Sequence, residues 1–239
     1  MKYTSYLRNH AVYPGSEKAL HSFLNATLDR NGKKEKHKLP HCCNPNSEDA
    51  LTWSCFDVLR HQSREKIVQA LNEIMEDAFD GKANFSFDDE RDIEIHIGKT
   101  YFASAIEENT ELDASIETAD QLIFIEAKLY SAISLPDNTT PYDQIIRKLR
   151  VGLDVAKREN KQFYFIFLDI APMDRMLQYG KEKSISTEHF KQYKKHSETL
   201  AGKLIDNTYD SLDKVSENMG WLTWASLFKT VLRAVINSA

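Results

Sequence analysis

The chain has 239 residues, of which 41% are hydrophobic and 28% are charged, as is ordinary for one large soluble globular domain. Its net charge of −5 argues against a protein whose main role is to coat nucleic acid, since such proteins are usually strongly basic. No apolar run approaches the roughly 20 residues that span a bilayer, so no membrane partner is expected.

Cysteine usage and the N-terminal residues indicate a compartment. The first residues lack the apolar stretch of a secretory signal. Three cysteines, two of them adjacent, make a poor disulfide framework. We therefore expect a reducing, cytoplasmic location.

The first third of the chain has helical periodicity. Apolar residues recur at helical spacing over 16–30, and a basic segment with two prolines over 32–46 predicts a loop. A second helix is predicted to begin near Glu48, because acidic residues favour a helix N-terminus. A third is predicted over about 63–79.

The hydrophobic period then changes from helix to strand. Alternation predicts strands at 92–97 and 111–117, and two continuous apolar runs predict strands covered on both faces at 122–129 and 163–168. Further helices are predicted at 142–159, in the later part of 174–202, and over 221–236. The last helix is expected to turn inward Leu227, Phe228, Val231, Leu232, Val235 and Ile236.

This order of elements predicts an α/β fold with a mixed sheet covered by helices. One domain is expected over 1–239. Its core would lie at about 46–170, and residues 171–239 would form a helical elaboration.

Strands 111–117 and 122–129 are joined by so short a link that they are predicted to form an antiparallel hairpin. A symmetric hairpin has one wholly apolar face, as a core requires. That face would pair Leu112 with Ala127, Ala114 with Ile125, and Ile116 with Ile123.

The other face of the hairpin carries charge. Asp113 is predicted opposite Glu126, and Glu111 opposite Lys128. Opposed like charges destabilise a hairpin, so Asp113 and Glu126 need a positive charge between them or a proton on one carboxylate. A divalent cation is the most economical remedy, since Mg²⁺ prefers carboxylate oxygens. Such an ion could activate a bound water that Lys128 orients or deprotonates. The alternative is a solvated strand end that carries a loose charge cluster and binds no metal.

Asp113, followed by Glu126-Ala127-Lys128 at the end of an apolar strand, resembles the Asp…Glu-x-Lys signature of the PD-(D/E)XK nuclease superfamily. The resemblance implies the restriction-endonuclease-like fold, whose αβββαβ core is similar to the predicted order of elements. It also implies a nuclease that uses Mg²⁺ or Mn²⁺ to hydrolyse phosphodiester bonds, with DNA as the favoured substrate. Glu111-Leu112 stands where the signature has proline beside the aspartate, which leaves Glu111 as a rival for Asp113.

Two further positions match sites of the superfamily. Glu48 stands on the helix before the sheet, where members often have a third carboxylate, although Asp49 could replace it. Gln144 stands on the helix after the apolar strand, where a polar side chain would orient Lys128 or the substrate. The resemblance thus implies that the catalytic residues are Asp113, Glu126, Lys128, Glu48 and Gln144, with Asp113, Glu126 and Glu48 as metal ligands.

The basic segments would contact the phosphates of nucleic acid, because such contacts supply most sequence-independent affinity. They comprise Lys33, Lys34, Lys36, Lys38, Arg147, Lys148 and Arg150, with a further cluster at 181–195. A homodimer is compatible with the resemblance, since many nucleases of this fold use two copies to cut both strands. The alternative hypothesis, which the acidic net charge favours, is a catalytically silent member that acts as a binding or interaction module.

Overall fold

The computed structural model describes residues 3–25, 38–88, 92–173 and 181–236, except for the side chains of residues 39, 40 and 181–184. The helices are α1 (Glu17–Leu24), α2 (Leu39–Cys42), α3 (Glu48–Arg60), α4 (Arg64–Ala78), α5 (Gln144–Arg158), α6 (Lys181–Lys195), α7 (Leu212–Glu217) and α8 (Trp224–Ile236). The strands are β1 (Glu94–Ile97), β2 (Thr100–Ala103), β3 (Glu108–Glu111), β4 (Ala114–Glu117), β5 (Gln121–Ala127), β6 (Gln162–Asp169) and β7 (Met219–Thr223). Single 3-10 turns occupy Tyr6–Asn9 and Ser197–Leu200.

Five strands form one mixed sheet in the order β1-β4-β5-β6-β7. β1, β4 and β5 pair antiparallel, whereas β5, β6 and β7 pair parallel. β2 and β3 form a separate two-stranded hairpin. The predicted mixed α/β architecture is confirmed at this level.

Each face of the sheet is covered by a different set of helices. α3, α4 and α8 pack on one face, and α5, α6 and α7 pack on the other together with the β2–β3 hairpin. Every residue of β5 is buried, which agrees with the continuous apolar run predicted for a strand covered on both faces. No helix in the described ranges is long and apolar enough to cross a bilayer.

The predicted register of the β4–β5 hairpin is confirmed for Ala114–Ile125 and for Ile116–Ile123. The pairing of Leu112 with Ala127 is wrong, because the ladder ends at Ala114 and Leu112 lies in the core on the opposite face of the sheet. The physical reason is that the Asp113 side chain accepts the Ala127 N–H at 2.7 Å, while the Leu112 N–H donates to Lys99 at 3.0 Å. The backbone therefore leaves β5 at Asp113.

Other elements differ from the sequence prediction. α2 lies in the predicted loop, β2 and β3 were not predicted, and β7 occupies the start of the helix expected over 221–236. β7 exists because residues 219–223 pair with β6, a contact between segments distant in sequence. α8 buries only one face, so four of the side chains expected to face inward are exposed: Phe228, Leu232, Val235 and Ile236.

α5 lies unusually close to the sheet at Gly152. A Cβ atom there would lie 2.1 Å from Phe163 Cε2 and 3.0 Å from Phe124 Cδ2. Phe163 and Phe124 are buried, so their rings have little room to move. This contact sets the height of α5, and therefore of Gln144 and Lys148, above β5.

We expect Gly152→Ala to destabilise the protein by about 1–2 kcal/mol, because an overpacking cost at the upper end of about 1–3 kcal/mol exceeds the roughly 1 kcal/mol gain in helix propensity. Urea unfolding followed by circular dichroism measures the change. The double variant Gly152→Ala/Phe163→Leu should recover part of the loss, since the smaller side chain removes the clash. A Gly152→Ala protein as stable as its parent would contradict the close packing.

Candidate active site

The candidate site lies at the carboxyl end of β5. Glu126 is 2% exposed and Lys128 is 8% exposed, although both are ionisable. The Lys128 N–H donates to Leu168 of β6 at 2.7 Å, and its carbonyl accepts from Trp224 Nε1 at 3.0 Å. β6 and α8 therefore fix the backbone that carries the two charges.

Glu126 is held by three side chains. Its Oε1 accepts from Lys128 Nζ at 2.8 Å and from Gln144 Nε2, while its Oε2 lies 3.2 Å from Lys148 Nζ. Oε2 is buried and accepts no well-directed hydrogen bond from the described residues, so its contact with Lys148 is an ion pair. Burial alone would raise the pKa of Glu126, but the ammonium groups of Lys148 and Lys128 outweigh it and lower that pKa.

Asp113 lies beside this pair as predicted, and its environment favours the protonated form. Burial, together with the negative charge of Glu126, raises the pKa of Asp113 to about 7, although Lys128 and Lys148 act in the opposite direction. The chain itself thus supplies both the positive charges and the retained proton that relieve the predicted repulsion between Asp113 and Glu126. Charge balance alone does not require a divalent cation.

The electrostatic state of Lys128 limits what it can do. Burial acts to lower the pKa of Lys128, but the charges of Glu126 and Asp113 more than offset burial and raise it. Lys128 is therefore an ammonium group at neutral pH. Of the two roles predicted for it, orienting a water is favoured over deprotonating one.

Glu48 reaches the same end of the sheet but turns to backbone groups. Its Oε1 accepts from the N–H groups of Leu129, Tyr130 and Ser131 at 2.8, 3.3 and 3.2 Å, and from Ser131 Oγ at 2.7 Å. Asp49, the alternative, is paired with Lys38 at 3.0 Å. In the described ranges, no three His, Cys, Asp or Glu side chains are grouped so as to hold a metal ion. The three-carboxylate set Asp113, Glu126 and Glu48 is thus not assembled here.

Glu111 is not a partner of Lys128, and that prediction is wrong. The exposed Glu111 carboxylate pairs with Lys38 at 2.5 Å, and only the Glu111 carbonyl reaches the site, where it accepts from Lys148 Nζ. The cause is the departure of the chain from β5 at Asp113, which places Glu111 in β3 beside Thr100. Asp113, rather than Glu111, is the carboxylate next to Glu126.

The basic residues predicted to contact phosphates occupy several environments. Lys148 and Arg150 are buried, which contradicts a surface role: Lys148 serves Glu126, and Arg150 pairs with Glu108 at 3.1 Å and donates to the Lys203 carbonyl at 2.9 Å. They are buried because the β2–β3 hairpin and the 200–215 region cover α5. Arg147 is half-buried and donates to Ser134 Oγ at 2.5 Å. Lys33, Lys34 and Lys36 lie outside the described residues.

The role of Lys148 as the counterion of Glu126 was not predicted from the sequence. A signal was present, because Lys148 follows Gln144 by four residues and therefore shares its helix face. The role of Asp143 was not predicted either. This buried carboxylate accepts from Ile146 N–H at 3.0 Å and from Tyr193 Oη at 2.5 Å. Asp143 caps α5 and ties it to α6, which fixes the position of Gln144.

We expect Lys148→Met to destabilise the protein by about 3 kcal/mol, because it leaves Glu126 Oε2 buried without its counterion. Adding Glu126→Gln should restore part of the loss. Lys157→Met is the matched control on the same helix, since Lys157 is exposed. Urea unfolding of the variants tests this, and equal losses for Lys148→Met and Lys157→Met would contradict the ion pair.

The raised pKa of Asp113 gives stability a pH dependence. Between about pH 4 and about pH 7 the unfolded chain has ionised Asp113 while the folded chain keeps its proton, so the free energy of unfolding falls as pH rises through this window. Asp113→Asn should remove this slope, whereas the exposed control Asp92→Asn should keep it. Urea unfolding at about pH 5 and about pH 8 measures it, and identical slopes in Asp113→Asn and its parent would refute the assignment.

Comparisons of the chain with protein-family models, with curated proteins and with solved structures find no match. The resemblance to the PD-(D/E)XK superfamily therefore rests on the residues of the site and on the order of elements.

Proposed function

We propose that the protein is a metal-dependent phosphodiesterase that cleaves nucleic acid, with DNA as the favoured substrate. One observation carries the proposal: Glu126 and Lys128 are in contact at 2.8 Å at the carboxyl end of β5, with the Asp113 carboxylate bonded to the residue between them. Two neighbouring carboxylates can hold Mg²⁺, and an ammonium group beside them can stabilise negative charge on a phosphoryl group.

The order of elements supports the finer assignment to a restriction-endonuclease-like fold. α4 precedes β1, β4 and β5, which pair antiparallel in the main sheet, and α5 then leads to β6, parallel to β5. This order is similar to the αβββαβ core that the resemblance implies. On this assignment the β2–β3 hairpin is an insertion between the first two core strands.

Asp113 and Glu126 are the residues that would hold Mg²⁺ or Mn²⁺. Glu126 Oε2 accepts no well-directed hydrogen bond from the described residues, and the Asp113 hydrogen bond to Ala127 uses only Oδ2. Two carboxylates completed by water are sufficient for Mg²⁺. When bound, the ion supplies positive charge to a phosphoryl oxygen and lowers the pKa of a coordinated water.

The side chains of the site would divide the remaining work. Lys128, a fixed ammonium group, would hold the attacking water and stabilise negative charge on the phosphoryl group. Gln144 holds Glu126 Oε1 in place, and Lys148 keeps the Glu126 carboxylate ionised. Gln144 and Lys148 act through Glu126 and are positioning residues.

A catalytically silent protein of the same fold, acting as a binding or interaction module, is the second candidate. The observation that favours it is the charge balance, since Lys128 and Lys148 neutralise Asp113 and Glu126 without a metal ion. The position of Glu48 on backbone groups, away from the two carboxylates, favours it as well.

DNA cleavage with and without metal tests the proposed function. Plasmid DNA, single-stranded DNA and single-stranded RNA are incubated with Mg²⁺ or Mn²⁺ and, separately, with a chelator. We expect metal-dependent cutting that Lys128→Ala and Glu126→Gln each slow by about 100-fold or more, the size typical for loss of a group that stabilises charge in the transition state. Lys157→Ala, on the exposed face of α5, is the matched control and should cut at the parental rate.

Calorimetric titration of the same proteins with Mn²⁺ separates the two candidates. On the proposed function, Glu126→Gln weakens metal binding and Lys128→Ala does not. A protein that binds no metal at millimolar concentration, with or without DNA, and cuts none of the three substrates is the silent module.

A further inference from the structure

Three successive backbone N–H groups converge on one oxygen at the edge of the candidate site. The donors are those of Leu129, Tyr130 and Ser131, joined by the Ser131 hydroxyl, and the acceptor is Glu48 Oε1. Successive N–H groups directed at a common point form an anion-binding concavity, or nest. We call these four donors the 129–131 nest.

The nest offers more hydrogen-bond donors than one carboxylate oxygen can accept with good geometry. An oxygen of this kind has about two lone pairs, whereas four donors lie between 2.7 and 3.3 Å of Glu48 Oε1. In the described residues, Glu48 Oε2 accepts none of these hydrogen bonds. A phosphate group, with several oxygens around one centre, could distribute the four donors better than a single carboxylate oxygen does.

The backbone of the nest is held by groups other than Glu48. On its N-terminal side, the Lys128 carbonyl accepts from Trp224 Nε1 at 3.0 Å, and on its C-terminal side, the Ile133 N–H donates to Ser186 Oγ at 2.9 Å. Leu129 and Ile133 are buried and anchor the segment in the core. The segment that carries the nest is therefore anchored by α8 on one side and by α6 on the other.

The nest is also accessible. Tyr130 is 53% exposed and Ser131 is exposed, so a ligand can approach from solvent. The nest directly follows Lys128, whose ammonium group already contacts Glu126. An anion in the nest would lie next to the proposed reaction centre.

We propose that the 129–131 nest is a binding subsite for a phosphate group of the substrate, and that Glu48 occupies it as an internal stand-in when no phosphate is bound. The assignment of that phosphate to nucleic acid rests on the proposed function. The ligand class, an oxyanion of phosphate geometry, rests on the nest itself. Binding of a phosphate displaces the Glu48 carboxylate from the four donors.

Phosphate binding without metal or DNA tests this subsite. ¹⁵N-labelled protein is titrated with inorganic phosphate and, separately, with dimethyl phosphate, at constant ionic strength with chloride as the balancing anion. In Glu48→Ala we expect saturable shifts of the amide signals of the three nest residues, with a Kd about tenfold or more below that of the parent protein. Dimethyl phosphate stands in for a diester within a strand, and inorganic phosphate stands in for a terminal monoester.

Two further variants make the result decisive. Asp49→Ala removes a charge from the same helix turn but leaves Glu48 in the nest, so it should bind phosphate no better than the parent protein. Glu48→Gln keeps the shape of the side chain and should bind phosphate more tightly than the parent but less tightly than Glu48→Ala. It also serves if Glu48→Ala does not fold.

Two results would overturn the subsite. One is the absence of saturable shifts at the nest in folded Glu48→Ala and Glu48→Gln up to the solubility limit of both probes. The other is an equal gain in Asp49→Ala, which would show a general effect of charge. Because the titration contains no divalent metal and no DNA, phosphate binding at the nest can fail while cleavage stands, and cleavage can fail while the nest binds phosphate.

Discussion

The ion pair between Lys148 and Glu126 is the interaction on which the rest of the site depends. A carboxylate as buried as that of Glu126 costs several kcal/mol unless positive charge compensates it, and Lys148 brings that charge from a different element. α5 must therefore lie directly over the end of β5. The absence of a side chain at Gly152 permits this approach, and the Asp143 cap fixes the end of the helix. The packing of α5 on the sheet and the charge balance of the site therefore depend on each other.

The same charge balance determines the net charge of the site that a metal ion would enter. Two carboxylates and two ammonium groups are near neutrality when Asp113 is ionised, and burial beside Glu126 raises the pKa of Asp113, which favours a net positive charge in the site. A divalent cation would add two positive charges to a site with no surplus of negative charge. A substrate phosphate supplies the missing negative charge, so on the proposed function metal and phosphate bind with positive coupling. Metal affinity measured without nucleic acid would then understate affinity in the complex.

The sequence predicts those parts of the fold that follow from short-range rules. The tight link after Glu117 determined the register of β4 and β5, and continuous apolar runs identified β5 and β6. Predictions failed where a side chain contacts the backbone of another strand. The Asp113 side chain accepts the Ala127 N–H, which ends the β4–β5 ladder, and Glu111 then pairs with Thr100 in the β2–β3 hairpin. Lys148 and Arg150 were assigned to the surface because local composition cannot distinguish a basic surface from buried cations that pair with carboxylates. Only the four-residue spacing of Gln144 and Lys148 indicated that Lys148 shares the helix face that is directed at the site.

Glu48 illustrates why a residue can be located from sequence while its role is not. Its position on the helix before the sheet brought it to the right end of β5, but its carboxylate lies on the N–H groups after Lys128 and not on the two other carboxylates. The backbone on either side of these N–H groups is held at Lys128 by Trp224 and at Ile133 by Ser186. On the proposed subsite, a phosphate bound in the nest displaces the Glu48 carboxylate, while the backbone stays anchored at Lys128 and Ile133.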